Sequence, residues 1–165
     1  GAGIYNAGDL TLIDADVSDN HAEADAGGGI LTYGALTVRN SRIIGNTTVT
    51  RSGISNEAGS VTLGSGTLVQ GNTGSLGGGI ANLGGTVTLA SGSAVETNTG
   101  FPGGGVHNAG GTDTLASGST VQGNEAEGGG GIYSTSGTVT LQGAASSTAI
   151  WPPPVGLASP TPVTP

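Results

Sequence analysis

Apolar and polar positions along the chain recur in one fixed order. A glycine precedes an aliphatic residue, a second glycine follows, and an apolar–Thr–apolar triplet comes next. In all but the last unit, a third aliphatic residue and, three positions later, an asparagine complete the repeat. A period of this length is typical of stacked supersecondary units. The first aliphatic residues are Ile4, Ile30, Ile54, Ile80, Val106 and Ile132, at spacings of 26, 24, 26, 26 and 26 residues.

The triplets alternate with a period of two, as in Val61–Leu63. This predicts short strands whose aliphatic side chains point inward and whose threonines point outward. Three such strands per unit, separated by corners that contain glycine or asparagine, describe one coil of a parallel β-solenoid. We assign glycine to the corners because it reaches positive φ at no steric cost. Each coil has too few apolar residues to stand alone, so successive coils must bury one another's faces.

The asparagines are expected to stack from coil to coil. An asparagine amide has both donors and an acceptor, so it can bond the backbone or the amide of the next coil. We predict a structural ladder from the asparagine that ends each repeat. Its members are Asn20, Asn46, Asn72, Asn98 and Asn124. A second, incomplete column consists of Asn6, Asn56, Asn82 and Asn108, with Thr32 and Ser134 in the gaps.

Threonine is the most regular outward residue. Columns about 4.8 Å apart between coils and about 7 Å apart along a strand would form a flat lattice of hydroxyl and methyl groups. Such a surface resembles that of β-solenoid ice-binding proteins; the alternative is that threonine suits an exposed strand. The central column is Thr11, Thr37, Thr62, Thr88, Thr114 and Thr140, and its companion column contains Thr86, Thr112 and Thr138.

Composition excludes several function classes. The chain of 165 residues carries a net charge of −8, has no lysine, and has its three arginines between positions 39 and 51. Nucleic acids and anionic lipid surfaces both require clustered cations, so we expect neither as a partner. The absence of cysteine excludes disulfides and thiolate metal sites. No apolar run is long enough to span a membrane, so no transmembrane segment is expected.

The motif GGGIxNxGGTVTLxxSxVxxN resembles the Gly-Gly-Ala-Ile type repeats of polymorphic outer-membrane proteins and autotransporter-like surface passengers. This resemblance covers residues 1–141 and implies a right-handed parallel β-helix on the pectate-lyase-like scaffold. Our expected fold is therefore all-β, with about six coils of 24–26 residues and three short strands per coil. The solenoid is expected over residues 1–147.

Acidic residues concentrate in the first coil. A calcium site is one interpretation, because hard cations take several oxygen ligands; a solvated acidic coil is the other. Neither an EF-hand loop nor a recurring calcium repeat is present, so we assign no metal site and no cofactor. The acidic residues are Asp9, Asp14, Asp16, Asp19, Glu23 and Asp25.

No catalytic site can be assigned from spacing. The histidines His21 and His107 lie far apart in coil order, and no two carboxylates pair by spacing. Aromatic platforms that could stack against sugars are not evident. Asp113 interrupts an inward apolar column, and burial of an isolated carboxylate is costly. We therefore expect either a local shift of its strand or a position near solvent.

Residues 148–165 form a proline-rich tail or linker, because proline cannot sustain a strand ladder. The chain begins within the motif at Ile4, and its last coil stops after Leu141. Terminal coils present unpaired edges, so we expect head-to-tail self-association that produces filaments, with the tail at the junction. The residues assigned to this contact are Ile4, Ile150, Trp151, Val155 and Leu157.

The expected function is that of a non-enzymatic structural protein, a surface fibre or adhesin. Low charge, surfaces rich in Thr, Ser, Gly and Asn, and a Pro-Thr tail resemble bacterial extracellular modules. We therefore expect an extracellular or cell-surface location, with cell-surface or glycan partners besides the chain itself. Ice binding through the threonines is the first alternative. A polysaccharide-binding or polysaccharide-degrading module is the second.

Overall fold

The computed structural model describes residues 3–23, 27–143, 145–147 and 150–151. Within these ranges all regular structure is β, and the strands are parallel and stack as a solenoid of about five turns. The predicted all-β parallel solenoid is thus confirmed, and the coil number is close to the predicted six. The reason is the repeat itself, since identical residues one period apart become neighbours in a parallel stack.

Each turn begins with two strands that belong to one large sheet. The strands at the first position are Ile4–Asn6, Ile30–Thr32, Ile54–Asn56 and Ile80–Asn82. The strands at the second position are Asp9–Ile13, Ala35–Arg39, Ser60–Leu63 and Thr86–Leu89. In the fifth and sixth repeats both positions fuse into the single strands Val106–Leu115 and Ile132–Leu141. The strand Ile150–Trp151 pairs with the start of the last of these.

A second sheet forms from the strand that follows each triplet. Its members are Asp16–Ser18, Arg42–Ile44, Leu68–Gln70, Ala94–Glu96, Thr120–Gln122 and Ser146–Ser147. The prediction of three strands per coil omitted a fourth position. There the strands His21–Ala22 and Thr47–Thr48 pair, and single bridges continue the column through Thr73, Thr99 and Glu125.

The core is a set of inward columns along the solenoid axis. Ile54, Leu63 and Val69 from one repeat are all fully buried and belong to one continuous cluster. In the first coil Leu10 and Leu12 are only half-buried, because among the described residues this coil has a neighbour on one side. A fully buried aliphatic side chain stabilises the fold by about 1.5–3 kcal/mol. The stack therefore depends on contact between coils.

Glycine at the second repeat position is required by close backbone packing. A Cβ on Gly85 would lie 1.9 Å from the carbonyl oxygen of Gly59, and one on Gly59 would lie 2.0 Å from that of Gly34. Among the members of this column (Gly8, Gly34, Gly59, Gly85, Gly111 and Gly137), only Gly137 has a positive φ. This column therefore does not depend on positive φ, whereas other corner glycines do adopt it: Gly45, Gly66, Gly71, Gly92, Gly118 and Gly123. The column excludes side chains because adjacent coils touch there.

Candidate functional site

The predicted asparagine ladder is present. Asn72 accepts from both the backbone N and the Nδ2 of Asn46 at 2.9 Å. Its own Nδ2 donates to the Oδ1 of Asn98 at 3.0 Å and to the carbonyl oxygen of Ile43 at 2.9 Å. The same pattern joins Asn98 to Asn124. Both donors and the acceptor of each interior amide are therefore used, which explains how a polar column can be fully buried.

The predicted threonine columns are in register. Thr62 pairs with Thr37 on one side and Thr88 on the other, and the pairing continues to both ends of the central column. The companion column runs in register through Thr86, Thr112 and Thr138. We call these two columns the threonine face. In the first two coils Asp9 and Ala35 occupy the companion position.

A third column of threonines, at the fourth strand position, was not predicted. Thr47, Thr73 and Thr99 follow one another through parallel bridges, and all three are exposed. His21 precedes them, with its Nδ1 2.8 Å from the Oγ1 of Thr47. The signal was in the sequence, since each of these threonines directly follows a ladder asparagine. This column supplies a control surface for experiments on the threonine face.

The acidic residues of the first coil are spread over its surface. Asp16 lies 3.6 Å from Arg42 in an exposed ion pair, and the amide of Asn40 donates to Asp14. The part of the chain that the structure describes contains no group of three or more side chains arranged to hold a metal ion. Asp25 lies outside the described residues.

Asp113 is fully buried within its strand. Its neighbours Val87 and Val139 pair with it in register, and its exposed fraction is 0%. The expectation of a solvent position is therefore wrong; a register irregularity does occur in this strand, but it lies between Asn108 and Thr112 and leaves Asp113 itself in register. Asn82 donates through Nδ2 to the carboxyl Oδ1 at 2.6 Å, while Oδ2 has no partner. Burial raises the pKa of Asp113 to about 6, and the Asn82 hydrogen bond opposes that shift.

The two histidines lie in different environments. His107 is buried, both ring nitrogens lack a hydrogen-bond partner, and burial lowers its pKa. Its ring contacts the Tyr133 ring at a centroid distance of 5.5 Å. His21 lies at the exposed fourth strand position.

A cleft of about 300 Å³ opens on the outer surface of the first strand position. Phe101, Pro102, Glu127, Gly128 and Tyr133 line it. Two aromatic side chains thus line one cleft, where no aromatic platform for sugars was expected. Tyr133 belongs to a strand and Phe101 to the preceding loop, and only the stacking of coils brings them together. We call this feature the aromatic cleft.

The residues assigned to self-association are only partly described. Ile4 packs against the core at the first coil and lines a shallow cleft of about 250 Å³ with Val17 and Asn20. Ile150 and Trp151 pair with Ile132 and Tyr133 of the same chain. Val155 and Leu157 lie outside the described residues.

Comparison of the chain with protein-family models, curated proteins and solved structures gave no match. The solenoid is therefore established by its own strand pairing, and the likeness to surface passengers rests on the repeat motif. No helix in the described part of the chain is long and apolar enough to cross a bilayer.

Proposed function

We propose that this chain is a non-enzymatic structural module of the bacterial cell surface or extracellular space, of the fibre or adhesin type. The observation that carries the proposal is the constant cross-section of the solenoid. Pairs such as Ile54 with Ile80 and Thr62 with Thr88 repeat the same contacts in successive turns. Such a rod holds a surface at a fixed distance and orientation, which is what a fibre or display scaffold requires.

Hydrogen bonds along the axis support the same role. The strand ladders and the ladder through Asn46, Asn72 and Asn98 all join one coil to the next. A pull along the axis therefore loads many parallel hydrogen bonds at each coil boundary. We expect extension of a tethered chain in force spectroscopy to proceed coil by coil, with Asn72→Ala weakening the rod.

The location is tested on cells that make the protein. Gold-labelled antibodies and protease treatment of intact cells should reach the protein from outside. Protein that is protected in intact cells and released only by lysis would contradict the proposal. Reproducible cleavage of a polyuronate, abolished by one Asp or Arg substitution, would contradict the non-enzymatic part.

End-to-end association is the second part of the proposal. The strands of the first described coil pair on one side only, and Ile4 and Val17 line the shallow cleft there. A second copy stacked on this face would continue the column that ends at Asn20. Light scattering and electron microscopy of the full chain should show polymers that Ile4→Glu abolishes. Its neighbour Tyr5 is 66% exposed, so Tyr5→Glu serves as the control. A strictly monomeric chain at high concentration would contradict this part.

Ice binding is a second candidate, and the register of the threonine face favours it. Thr86 and Thr88 pair directly with Thr112 and Thr114, so hydroxyl and methyl groups repeat in two directions. Thermal hysteresis that Thr88→Tyr removes and Thr73→Tyr retains would support this function. The second variant places the same bulk on the other threonine column. Absence of hysteresis in the unmodified chain would exclude ice binding.

A further inference from the structure

The backbone around the aromatic cleft is held by hydrogen bonds between successive coils. Phe101 donates through its backbone N to the carbonyl oxygen of Ser75 at 3.1 Å, and Gly103 N donates to the carbonyl oxygen of Gly128 at 3.2 Å. Tyr133, on the opposite wall, belongs to a strand of the large sheet. The fold itself therefore positions the walls of the cleft, so a ligand does not have to order these loops on binding.

Gly128 leaves open the space between the Tyr133 ring and Pro102. A Cβ at this position would lie 3.4 Å from Cε2 of Tyr133 and 3.7 Å from Cβ of Pro102, which is ordinary van der Waals contact. Gly128 does not adopt positive φ, so its backbone conformation does not require glycine. The space has the width of one methyl group, and a methyl group of a ligand fits there in contact with both walls.

The charge of the cleft is negative. Glu127 is the only charged residue among the five that line it, and it is exposed. The chain has no lysine, and its three arginines lie at positions 39–51, outside the cleft. Burial lowers the pKa of His107, which packs against Tyr133, so this ring adds no positive charge at neutral pH. The electrostatics of the cleft therefore favour a cation.

We propose that the aromatic cleft binds a small free cation that carries a trimethylammonium group, of the choline type. Aromatic faces attract such a group when its nitrogen lies within about 6 Å of the ring centroid, and Phe101 and Tyr133 each supply a ring. One methyl group enters the space at Gly128, and Glu127 balances the positive charge. The cleft volume of about 300 Å³ suits a ligand of this size.

The lining disfavours other small ligands. A primary ammonium has three N–H donors and a hexose has several hydroxyl groups, and each of these groups needs a new partner when it loses water. The side chains of the cleft supply one carboxylate and one phenol. A trimethylammonium group has no N–H and needs no such partner. The inference is independent of the structural function proposed above, because a rod with or without this site can serve as a fibre.

The test is an NMR titration of the full chain with choline chloride. Phe101 is the only phenylalanine, so its ring signals are unambiguous. We expect the ring signals of Phe101 and Tyr133 to shift, with a dissociation constant of about 1 mM for so open a site. Neohexyl alcohol, in which carbon replaces the nitrogen of choline, has the same shape without the charge and should bind about tenfold more weakly. Equal affinity for the two compounds, or no shift with choline, would overturn the proposal.

Matched variants test whether binding occurs in the cleft. Gly128→Ala fills the methyl-sized space without backbone strain and should weaken choline binding by about tenfold. Tyr5→Leu is its control, because Tyr5 has the same place in the repeat as Tyr133 but lies outside the cleft. Glu127→Gln should weaken binding by about fivefold, whereas Glu125→Gln, outside the lining, should have little effect. Undiminished affinity in either cleft variant would overturn the proposal.

Phosphorylcholine distinguishes a free cation from the head group of a lipid. Its phosphate brings negative charge near Glu127 and reduces the electrostatic attraction, so it should bind more weakly than choline. Equal or tighter binding of phosphorylcholine would assign the cleft to a head group and overturn the proposal of a free cation.

Discussion

The two asparagine columns have the same residue type and nearly the same spacing, yet only one forms a continuous ladder. In the first, Asn46, Asn72 and Asn98 each pass an amide hydrogen bond to the next coil. In the second, the side-chain bonds are interrupted between Thr32 and Asn56, between Asn82 and Asn108, and between Asn108 and Ser134. Thr32 donates to the backbone of Gly34, and Asn56 Oδ1 has no partner.

The second interruption follows from a single charge. Asn56 donates to Asn82 at 3.0 Å, but Asn82 then donates to Asp113 rather than to Asn108. Asn108 instead bonds the carbonyl oxygens of Gly111 and Thr138. A repeated residue therefore forms a ladder only where its neighbours offer no better partner. The comparison indicates that the column through Asn72 stabilises the stack more than the column through Asn82.

Asn72→Ala tests this difference with the largest expected effect. The backbone N and the Nδ2 of Asn46 would lose their acceptor, and the carbonyl of Ile43 would lose a donor, all in buried positions. Unsatisfied buried groups cost about 1–3 kcal/mol each, so we expect a loss of about 4 kcal/mol in the free energy of unfolding. Urea denaturation measures it.

The control for Asn72→Ala lies in the same column. Asn20 is half-buried; it donates to Asn46 in the next coil and to the carbonyl oxygen of Ser18 in its own coil. Asn20→Ala should therefore cost about 1 kcal/mol. Equal losses in the free energy of unfolding for the two variants would contradict the claim that a buried asparagine bonded to coils on both sides contributes more than one at the end of the ladder.

Gly85→Ala tests whether coil spacing, on which both columns depend, is set by backbone contact. The added Cβ would meet the carbonyl oxygen of Gly59, which cannot rotate away. We expect a loss of about 3 kcal/mol, at the upper end of overpacking effects. Gly8→Ala changes the first member of the same column, where nothing lies within 4 Å, and should be nearly neutral. Similar thermal midpoints for both variants would disprove the packing explanation.

The ladder and the threonine columns could be predicted because both depend on the period alone. A residue at a fixed place in a parallel repeat must neighbour its equivalents, whatever the details of the corners. The fourth strand position and the role of glycine could not be obtained this way. They depend on how closely the backbones of adjacent coils approach, as at Gly59 and Gly85. The spacing of residues in the sequence does not give that distance.

The aromatic cleft and the burial of Asp113 were missed for another reason. Phe101 and Tyr133 occupy different places in the repeat, so the alignment of repeats did not compare them. Asp113 stays in register because Leu115, two residues along the same strand, is buried and apolar, and a shift of one residue would expose it.

Asp113→Asn sharpens the comparison by removing the charge that diverts Asn82. The pKa of Asp113 is raised from 3.8 to about 6 in the folded chain, so the folded state keeps a proton that the unfolded state has released. The contribution of Asp113 to the free energy of unfolding should therefore be most favourable below pH 4, decrease between about pH 4 and 6, and stay about 3 kcal/mol lower above that range. The variant should lack this decrease and be more stable by about 2–3 kcal/mol at pH 8.

Denaturation of both chains at pH 4 and pH 8 measures the effect of Asp113→Asn. Asp9→Asn, at an exposed carboxyl, is the control and should not remove the decrease. The explanation is wrong if the difference between the Asp113 variant and the unmodified chain is the same at both pH values.

Thr97→Gly has the smallest expected effect. Thr97 directly precedes the ladder residue Asn98 and adopts φ of +50°, where the equivalent positions in neighbouring coils are Gly71 and Gly123. A branched side chain is strained in this region, so glycine should stabilise the chain by about 1 kcal/mol. A change to Ala should gain less, since alanine keeps a Cβ. Destabilisation by glycine in thermal melts would show that the side chain of Thr97 contributes more than its strain costs.

Scalar couplings across hydrogen bonds test the central claim most directly, because they detect each donor–acceptor pair in solution. We predict couplings from the backbone N of Asn46 to Cγ of Asn72, and from that of Asn72 to Cγ of Asn98. In the second column, Nδ2 of Asn82 should couple to Cγ of Asp113. Missing ladder couplings, or a coupling from Asn82 to Asn108, would contradict the account.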